Sequence, residues 1–248
     1  MAEKILKQIY GGGAFAKYRA LTVGRAGIGY LSYFEACQIF LRHLSGLPGL
    51  VLRRLAYKPL FRRMGRGAII GTGVTLRNPR QIEIGDRIVL DDGCVLDAKG
   101  EASRGITIGS DVFVSRNAVL SLKDGGIAIG SNVTIGPNTI IQSIAEAQVT
   151  VGDYAMIAAN VYLIGCGDYR HDRTDVPMAE QGLGPGRGIA VGRDVWIGAS
   201  VVVCDGAVIG ESSIVGAQSL VRGEIPPRSV AFGCPAVVKA RRDGGHAA

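Results

Sequence analysis

A single histidine stands in a polar segment of the second half of the chain, where it could act as a base. The segment from 164 to 182, IGCGDYRHDRTDVPMAEQG, places His171 among three aspartates: Asp168, Asp172 and Asp175. Imidazole is the side chain whose ordinary pKa lies near neutral pH, and a carboxylate can orient its second ring nitrogen. The other two histidines, His43 and His246, lie in a basic N-terminal region and in a Gly/Ala tail. His171 is therefore the candidate general base.

This segment interrupts a regular repeat. From Ile84 onward, an aliphatic residue followed by a small or acidic one recurs every six positions, and in the cleanest run these anchors are Val191, Ile197, Val203, Ile209, Val215 and Val221. Four earlier anchors, Ile84, Ile108, Ile129 and Val151, are 24, 21 and 22 residues apart. Each spacing equals three hexapeptides plus a small insertion at one corner, so the repeat determines the architecture.

A period of six predicts a parallel β-helix. Six is no simple multiple of the 3.6-residue helical turn, whereas a short strand followed by a tight corner fits it. Three such edges close a triangular coil with the aliphatic anchors inside, and the terminal coils need covers. We expect a β-helix domain over residues 67–248, with an inserted loop at about 165–188 and a short C-terminal tail, preceded by a basic helical region over residues 1–66.

Over residues 67–239 these repeats resemble the hexapeptide-repeat acyltransferases, and bacterial sugar O-acetyltransferases in particular. The segment 225–238, IPPRSVAFGCPAVV, is similar to the proline-rich end of the helix in that family. The resemblance implies an all-β, left-handed parallel β-helix, although general chirality rules favour right-handed parallel connections. It also implies a homotrimer in which the long loop reaches a neighbouring subunit and helps to build three intersubunit sites.

The resemblance implies that an acceptor hydroxyl attacks an acyl thioester directly. The donor would be acetyl-CoA, with acyl carrier protein as the alternative, and no metal is expected. His171 would take the hydroxyl proton while Asp168, Asp172 or Asp175 orients its ring, and Tyr169 and Gln181 would contact the acceptor. In the family the histidine commonly stands two residues farther from the Val-Pro pair than His171 does, at the position where this chain has Tyr169. A shifted register, a different approach of His171, or a merely solvated histidine are the alternatives.

The resemblance also assigns a groove for the acyl donor. Trp196 of the segment DVWIGA would border it, and four small residues would let the pantetheine arm approach the backbone: Gly198, Ala199, Gly216 and Ala217. Pro235 and Ala236 would lie near the bound donor. Arg222, within a cluster of basic residues towards the end of the helix, could hold a nucleotide phosphate. Corner packing and a solvated charged face are the structural alternatives for these residues.

The N-terminal region differs in charge from the rest. Residues 1–66 have 12 Lys/Arg and two acidic residues, a net charge of +10, whereas the remainder has a net charge of −3. Residues 30–45 show one narrow polar stripe on an otherwise apolar helix, which predicts a deeply seated helix too short to span a bilayer. Residues 50–66 mix leucines with arginines and lysines, which suits the surface of an anionic membrane. The alternative is a helical cap that only covers the first coil.

Several function classes are disfavoured by the residues themselves. Five widely spaced cysteines indicate neither a disulfide framework nor a zinc cluster, and a zinc enzyme on this fold would need three histidine ligands. Nucleic-acid motifs, P-loops and dinucleotide fingerprints are absent from the sequence. We expect a cytoplasmic protein, peripheral at the inner face of the cell membrane, that moves acetyl to a sugar or glycolipid hydroxyl. Longer-chain or N-acyl transfer and a non-catalytic trimeric scaffold at the membrane are the alternatives.

Overall fold

Residues 63–241 wind into three sheets that form the faces of a triangular prism. The computed structural model describes residues 13–24, 26–100 and 103–242, so that His246 and the first part of the basic region lie outside the described residues. Each turn of the chain contributes one short strand to each face in the order A, B, C. Every pairing between neighbouring turns is parallel, which confirms the predicted left-handed parallel β-helix with an N-terminal helical extension.

The strands are two to six residues long. Sheet A contains β1 (Arg63–Met64), β4 (Ile82–Ile84), β7 (Gly105–Ile108), β10 (Gly126–Ile129), β13 (Gln148–Val151), β16 (Ile189–Val191), β19 (Val208–Ile209) and β22 (Glu224–Ile225). Sheet B contains β2 (Ile69–Ile70), β5 (Val89–Leu90), β8 (Phe113–Val114), β11 (Thr134–Ile135), β14 (Met156–Ile157), β17 (Trp196–Ile197), β20 (Ile214–Val215), β23 (Ser229–Gly233) and β24 (Ala236–Arg241). Sheet C contains β3 (Thr75–Arg77), β6 (Val95–Lys99), β9 (Val119–Lys123), β12 (Ile140–Ile144), β15 (Tyr162–Gly165), β18 (Val202–Val203) and β21 (Leu220–Val221).

The sixfold anchors form the core of the prism. All the anchors named from the sequence are at most 4% exposed, because each points inward and packs on the equivalent residue of the next turn. At the corner between sheets B and C, Asn117, Asn138 and Asn160 adopt left-handed backbone conformations with φ of 57°, 56° and 58°. Asparagine tolerates this conformation better than most residues. Their side-chain amides also form a ladder with N–O distances of 3.3 Å.

The corner insertions predicted from the spacing lie at one place, the corner between sheets C and A. There β6, β9 and β12 are lengthened to five residues and are followed by short turns before the next strand of sheet A. The turn after β18 needs no insertion, so Val203 and Ile209 keep the six-residue spacing. The long loop leaves the prism at this same corner, between β15 and β16.

The two ends of the prism are closed differently. At the C-terminal end, β24 folds back on β23 as the one antiparallel pairing among the described strands. At the N-terminal end, β1 already pairs with β4, slightly before the boundary expected at residue 67. Three helices precede it: α1 (Ala14–Thr22), α2 (Ile28–Leu41) and α3 (Gly46–Tyr57). We call these three helices the cap.

The prediction of a deeply seated helix over residues 30–45 is wrong. Helix α2 buries Leu31, Phe34 and Cys37, whereas Ile39 and Phe40 are 69% and 72% exposed. The helix packs against the prism and α3 with one face only, so the apolar residues on the opposite face meet solvent. Tyr33 donates a hydrogen bond from its hydroxyl to the carbonyl of Ala56 in α3, at 2.8 Å.

Candidate functional site

The long loop, residues 166–188, is a folded excursion from the C/A corner. Its two arms run antiparallel and are hydrogen-bonded to each other: Arg170 N donates to Gly182 O at 3.0 Å, and Gly184 N donates to Asp168 O at 2.8 Å. Between these bonds, Tyr169 and Leu183 form an isolated antiparallel bridge. The backbone of the loop therefore has internal partners, and its tip projects from the prism at the end of a hairpin.

The tip of the loop is held by Gln181, the last residue of the short helix α4 (Met178–Gln181). Its side-chain amide donates to the carbonyls of Arg173 and Val176 at 2.7 and 2.8 Å, and its Oε1 accepts from Arg173 N at 3.2 Å. Gln181 was predicted to contact an acceptor. In this structure its amide is used to hold the loop together.

The exit of the loop is anchored by Asp205 on the next turn. Its carboxylate accepts from Arg187 N at 2.8 Å and from Gly188 N at 2.7 Å. Asp205 was not among the residues predicted from the sequence. A signal was available, because Asp205 stands one coil period of three hexapeptides after Arg187, which places the two at the same corner of successive turns.

His171 is exposed on the loop, and its ring is oriented by a backbone carbonyl. Its Nδ1 lies 3.0 Å from the carbonyl oxygen of Tyr169. A carbonyl can only accept a hydrogen bond, so the neutral ring carries its proton on Nδ1. Nε2 is then left with a lone pair, which is the arrangement that a general base requires.

None of the three aspartates named with His171 forms a hydrogen bond or ion pair with its ring. Asp172 forms an ion pair with Arg170 at 3.6 Å, and Asp175 forms one with Arg173 at 2.5 Å. The latter guanidinium lowers the pKa of the Asp175 carboxyl below its ordinary value by hydrogen bonding. Asp168 is exposed at the base of the hairpin. The Tyr169 carbonyl takes the place that was predicted for an aspartate, and a catalytic role of these carboxylates stays a prediction.

Burial and charge disfavour the cysteine nearest to His171 as a nucleophile. Cys166 is half-buried at the start of the loop. Burial raises the pKa of its thiol, and the nearby carboxylates of Asp205 and Asp168 raise it further. A thiol with a raised pKa is protonated at neutral pH, so it is a poor nucleophile.

Trp196 lies on a different face of the prism from the loop. It stands in sheet B, paired with Met156 on one side and Ile214 on the other, and it is 49% exposed. Met156 in turn pairs with Thr134, and Thr134 pairs with Phe113. These outward-facing and mostly apolar side chains form a stripe along sheet B. In a triangular prism, sheet B is opposite the C/A corner from which the loop leaves.

Coil packing accounts for the glycines near Trp196. A Cβ on Gly198 would lie 2.6 Å from the backbone nitrogen of Ala217, and one on Gly216 would lie 2.8 Å from Cβ of Phe232. Side chains there would push successive turns apart. Gly198 is buried, whereas Ala199, Gly216 and Ala217 are half-buried or exposed. A role in donor binding remains a prediction for these positions.

The C-terminal basic residues are divided between two places. Arg228 lines a polar cavity of about 390 Å³ together with Arg193. The guanidinium carbon of Arg193 lies 4.9 Å from the centre of the Tyr154 ring. Arg242 forms an ion pair there with Asp194 at 2.6 Å. Hydrogen bonds from Ser212 and Arg242 lower the pKa of the Asp194 carboxyl. Arg222, exposed after β21, does not line this cavity. Pro235 lies in the turn between β23 and β24, and Ala236 is the first residue of β24.

No three His, Cys, Asp or Glu side chains are grouped closely enough to hold a metal ion anywhere in the described ranges.

The fold and its repeats define a protein class, the hexapeptide-repeat β-helices. The model of a family described as "Bacterial transferase hexapeptide (six repeats)" matches residues 188–223. A second model, described as "Hexapeptide repeat of succinyl-transferase", matches residues 105–143 and 126–164. These matches confirm the resemblance to hexapeptide-repeat acyltransferases that was predicted from the sequence.

Individual relatives are distant. The curated protein "Bifunctional protein GlmU" of Marinobacter nauticus is 30% identical over 105 residues, which are 42% of this chain and 17% of that relative. AntD, an N-acyltransferase from Bacillus cereus, in complex with dTDP and 3-hydroxybutyryl-CoA, has a TM-score of 0.54 at 20% identity over 75% of this chain and 86% of that one. A variant of AntD with dTDP-4-amino-4,6-dideoxyglucose and Coenzyme A has the same score at 21% identity over 79% and 89%. At these identities the structures show the fold alone.

Proposed function

We propose that this protein is an acyltransferase that moves an acetyl group from acetyl-CoA to a hydroxyl of a sugar or glycolipid. Similarity to the two hexapeptide transferase models supports acyl transfer as the reaction class. AntD is described in complexes with Coenzyme A and with an acyl-CoA, which supports an acyl-CoA donor. Acyl carrier protein is the alternative donor.

Topology is the observation that supports the proposed site most. His171 leaves the prism at the C/A corner, and Trp196 lies on the opposite face, in sheet B. Catalytic base and donor groove would therefore come from two different subunits. A homotrimer, in which the loop of one copy meets sheet B of the next, would form three such sites. The apolar stripe that includes Met156 and Trp196 is the surface that a neighbouring copy would cover.

His171 has a defined role in this proposal. With its proton on Nδ1 and the Tyr169 carbonyl as partner, Nε2 takes the proton of the acceptor hydroxyl as the oxygen attacks the thioester carbonyl. The tetrahedral intermediate then collapses and expels the CoA thiolate, which takes that proton back from the imidazolium. We propose direct attack by the acceptor; burial raises the pKa of the Cys166 thiol, which makes the cysteine of the loop a poor nucleophile for a covalent acyl-enzyme.

Replacement of His171 by Asn tests this role. We expect a loss of roughly 100-fold or more in kcat, because general-base catalysis supplies that order of acceleration. Release of CoA from acetyl-CoA would be followed with a panel of sugars and sugar nucleotides as acceptors. His43→Asn is the matched control, since His43 is exposed in the connection between α2 and α3 and outside the proposed site. A loss below about threefold for His171→Asn would remove the histidine from the mechanism.

N-acyl transfer is the second candidate, because AntD is described as an N-acyltransferase and as a complex with an amino sugar nucleotide. The same panel separates the two when it includes 4-amino and 4-hydroxy sugars on one nucleotide. An amine is protonated at neutral pH, so a base is required there too. The identity of the accepted sugar, and not the effect of His171→Asn, therefore distinguishes O-acyl from N-acyl transfer.

A further inference from the structure

The outward side of the cap has many large apolar side chains that nothing in the described chain covers. Six of them are more than half exposed: Phe15, Ile28, Ile39, Phe40, Leu47 and Leu55. We call these six side chains the cap face. On α3, Leu47 and Leu55 are joined by Val51 at helical spacing, so that they form one row along the helix. Exposed apolar side chains grouped in this way indicate an interaction surface.

Between α1 and α2 the cap face is indented. A cavity of about 530 Å³ is lined mainly by apolar side chains, among them Phe15, Ile28 and Phe40. The one carboxylate in its wall, Glu35, accepts a hydrogen bond from the Tyr18 hydroxyl at 2.5 Å. This hydrogen bond partly shields the charge, so the groove presents hydrocarbon to its surroundings.

Basic side chains border the apolar row of α3. Arg54 lies one turn from Val51, and Lys58 lies one turn from Leu55, on the same side of the helix; both are exposed. Arg62 and Arg63, which come shortly after the helix, are also exposed, and Arg62 pairs with Glu83 at 3.1 Å. Glu35 is the one acidic residue among the described part of residues 13–66.

We propose that the cap face docks on the surface of an anionic membrane. Apolar side chains would enter the boundary between headgroups and acyl chains, and the basic side chains beside them would contact lipid phosphates. The orientation is interfacial, because none of the described helices is long and apolar enough to cross a bilayer. Membrane docking is independent of the acyl-transfer reaction and of His171.

The charges favour a membrane over a two-fold contact with a second copy of this chain as the occupant. In a two-fold contact through α3, Arg54 and Lys58 of one copy would face the same residues of the other. Like charges brought together at such a contact repel, whereas an anionic bilayer supplies the opposite charge along the whole basic border. Glu35 is the one acidic residue among the described residues of the cap, and its carboxylate already accepts a hydrogen bond from Tyr18, so a second copy has little with which to neutralise the basic border.

Flotation of the full chain with vesicles tests the proposal. We expect the protein to float with vesicles of phosphatidylglycerol and phosphatidylcholine, and to bind pure phosphatidylcholine more weakly. Leu47→Ser combined with Leu55→Ser should lower the affinity for the mixed vesicles about tenfold or more, since two leucines no longer leave water. The matched control is Val208→Ser with Val237→Ser, because these valines are 43% and 47% exposed on the β-helix instead. This control should bind as the wild type does.

A second pair of variants tests the charges. Arg54→Gln with Lys58→Gln should reduce binding to the mixed vesicles and leave binding to phosphatidylcholine unchanged. The proposal is wrong if the wild type does not float with the mixed vesicles, or if the leucine variant, folded by circular dichroism, binds them as well as the wild type. It is also wrong if the leucine variant binds vesicles normally but loses self-association in light scattering, since the cap face would then be an interface between copies.

Discussion

The coils and the cap use apolar residues in opposite ways. Along the prism, each inward side chain packs on its equivalent in the turns above and below, and the sixfold anchors are almost completely buried. In the cap, α2 buries three apolar residues and leaves others of the same size in water. A repeat supplies the partner of each unit from the next unit, whereas a terminal element has a partner on one side only. The outward side of the cap is therefore where an external partner is expected.

The largest effect should come from the interior of the coils. Leu120 is fully buried in sheet C, between Leu96 and Ile141 of the adjacent turns. Leu120→Ala should lower the free energy of unfolding by about 2–5 kcal/mol, because the rigid stack cannot collapse into the cavity. The measurement is denaturant unfolding at one fixed protein concentration. Lys123→Ala, an exposed position in the same strand, is the control; equal effects of the two would contradict the packed stack.

The next effect tests the junction between the cap and the coils. Arg53 of α3 is 1% exposed, and its guanidinium donates to Leu44 O at 2.6 Å, Leu41 O at 2.9 Å and Ile70 O at 2.8 Å. It thereby ties the end of α2 and the first strand of sheet B to α3. Burial lowers the pKa of this guanidinium, which partly offsets the gain from its hydrogen bonds.

Arg53→Met should lower the free energy of unfolding by about 1–3 kcal/mol, because buried carbonyls lose their donors. Arg54→Met, at the exposed neighbouring position, should change it by less than about 0.5 kcal/mol. Thermal unfolding of the two variants measures the difference. Should Arg53→Met stabilise the protein instead, the cost of burying the charge would exceed the value of its bonds, and the junction would be held by apolar contacts alone.

The coils could be predicted well from the sequence, because each coil is specified by a short pattern of residues that recurs in every turn. Spacings of 24, 21 and 22 residues between Ile84, Ile108, Ile129 and Val151 indicated insertions at one corner, and the lengthened strands of sheet C confirm them. The position of the long loop followed from the interruption of the count. The hairpin within the loop could not be predicted, because no periodic pattern in the sequence indicates that Tyr169 pairs with Leu183.

The cap was predicted poorly for a physical reason. Apolar residues on nearly all sides of α2 indicate that every face avoids water, but they do not identify what covers each face. Leu31 and Ile39 are chemically similar members of one helix, and their burial is opposite. The pattern was interpreted as burial within the protein. Within the described chain, only one face has that cover.

The smallest effect on folding, and the sharpest contrast, is expected from this pair of residues. Leu31 is 5% exposed and Ile39 is 69% exposed in the same helix. Leu31→Ser should lower the midpoint of thermal unfolding clearly, because it places a hydroxyl in the hydrophobic core to which Leu31 belongs. Ile39→Ser should change the free energy of unfolding by less than about 0.5 kcal/mol in lipid-free buffer, because its side chain is already in water.

Anionic vesicles should then separate the two variants further. A ligand that binds only the folded protein raises its unfolding midpoint, so vesicles should stabilise the wild type and Leu31→Ser alike. Ile39→Ser should gain less from the vesicles, because it contributes less apolar area to the bilayer. If Ile39→Ser instead destabilised the protein in lipid-free buffer as much as Leu31→Ser does, Ile39 would be covered by protein. Both the cap and the coils would then be buried by protein, and they would differ only in that the cap is covered by another copy of the chain.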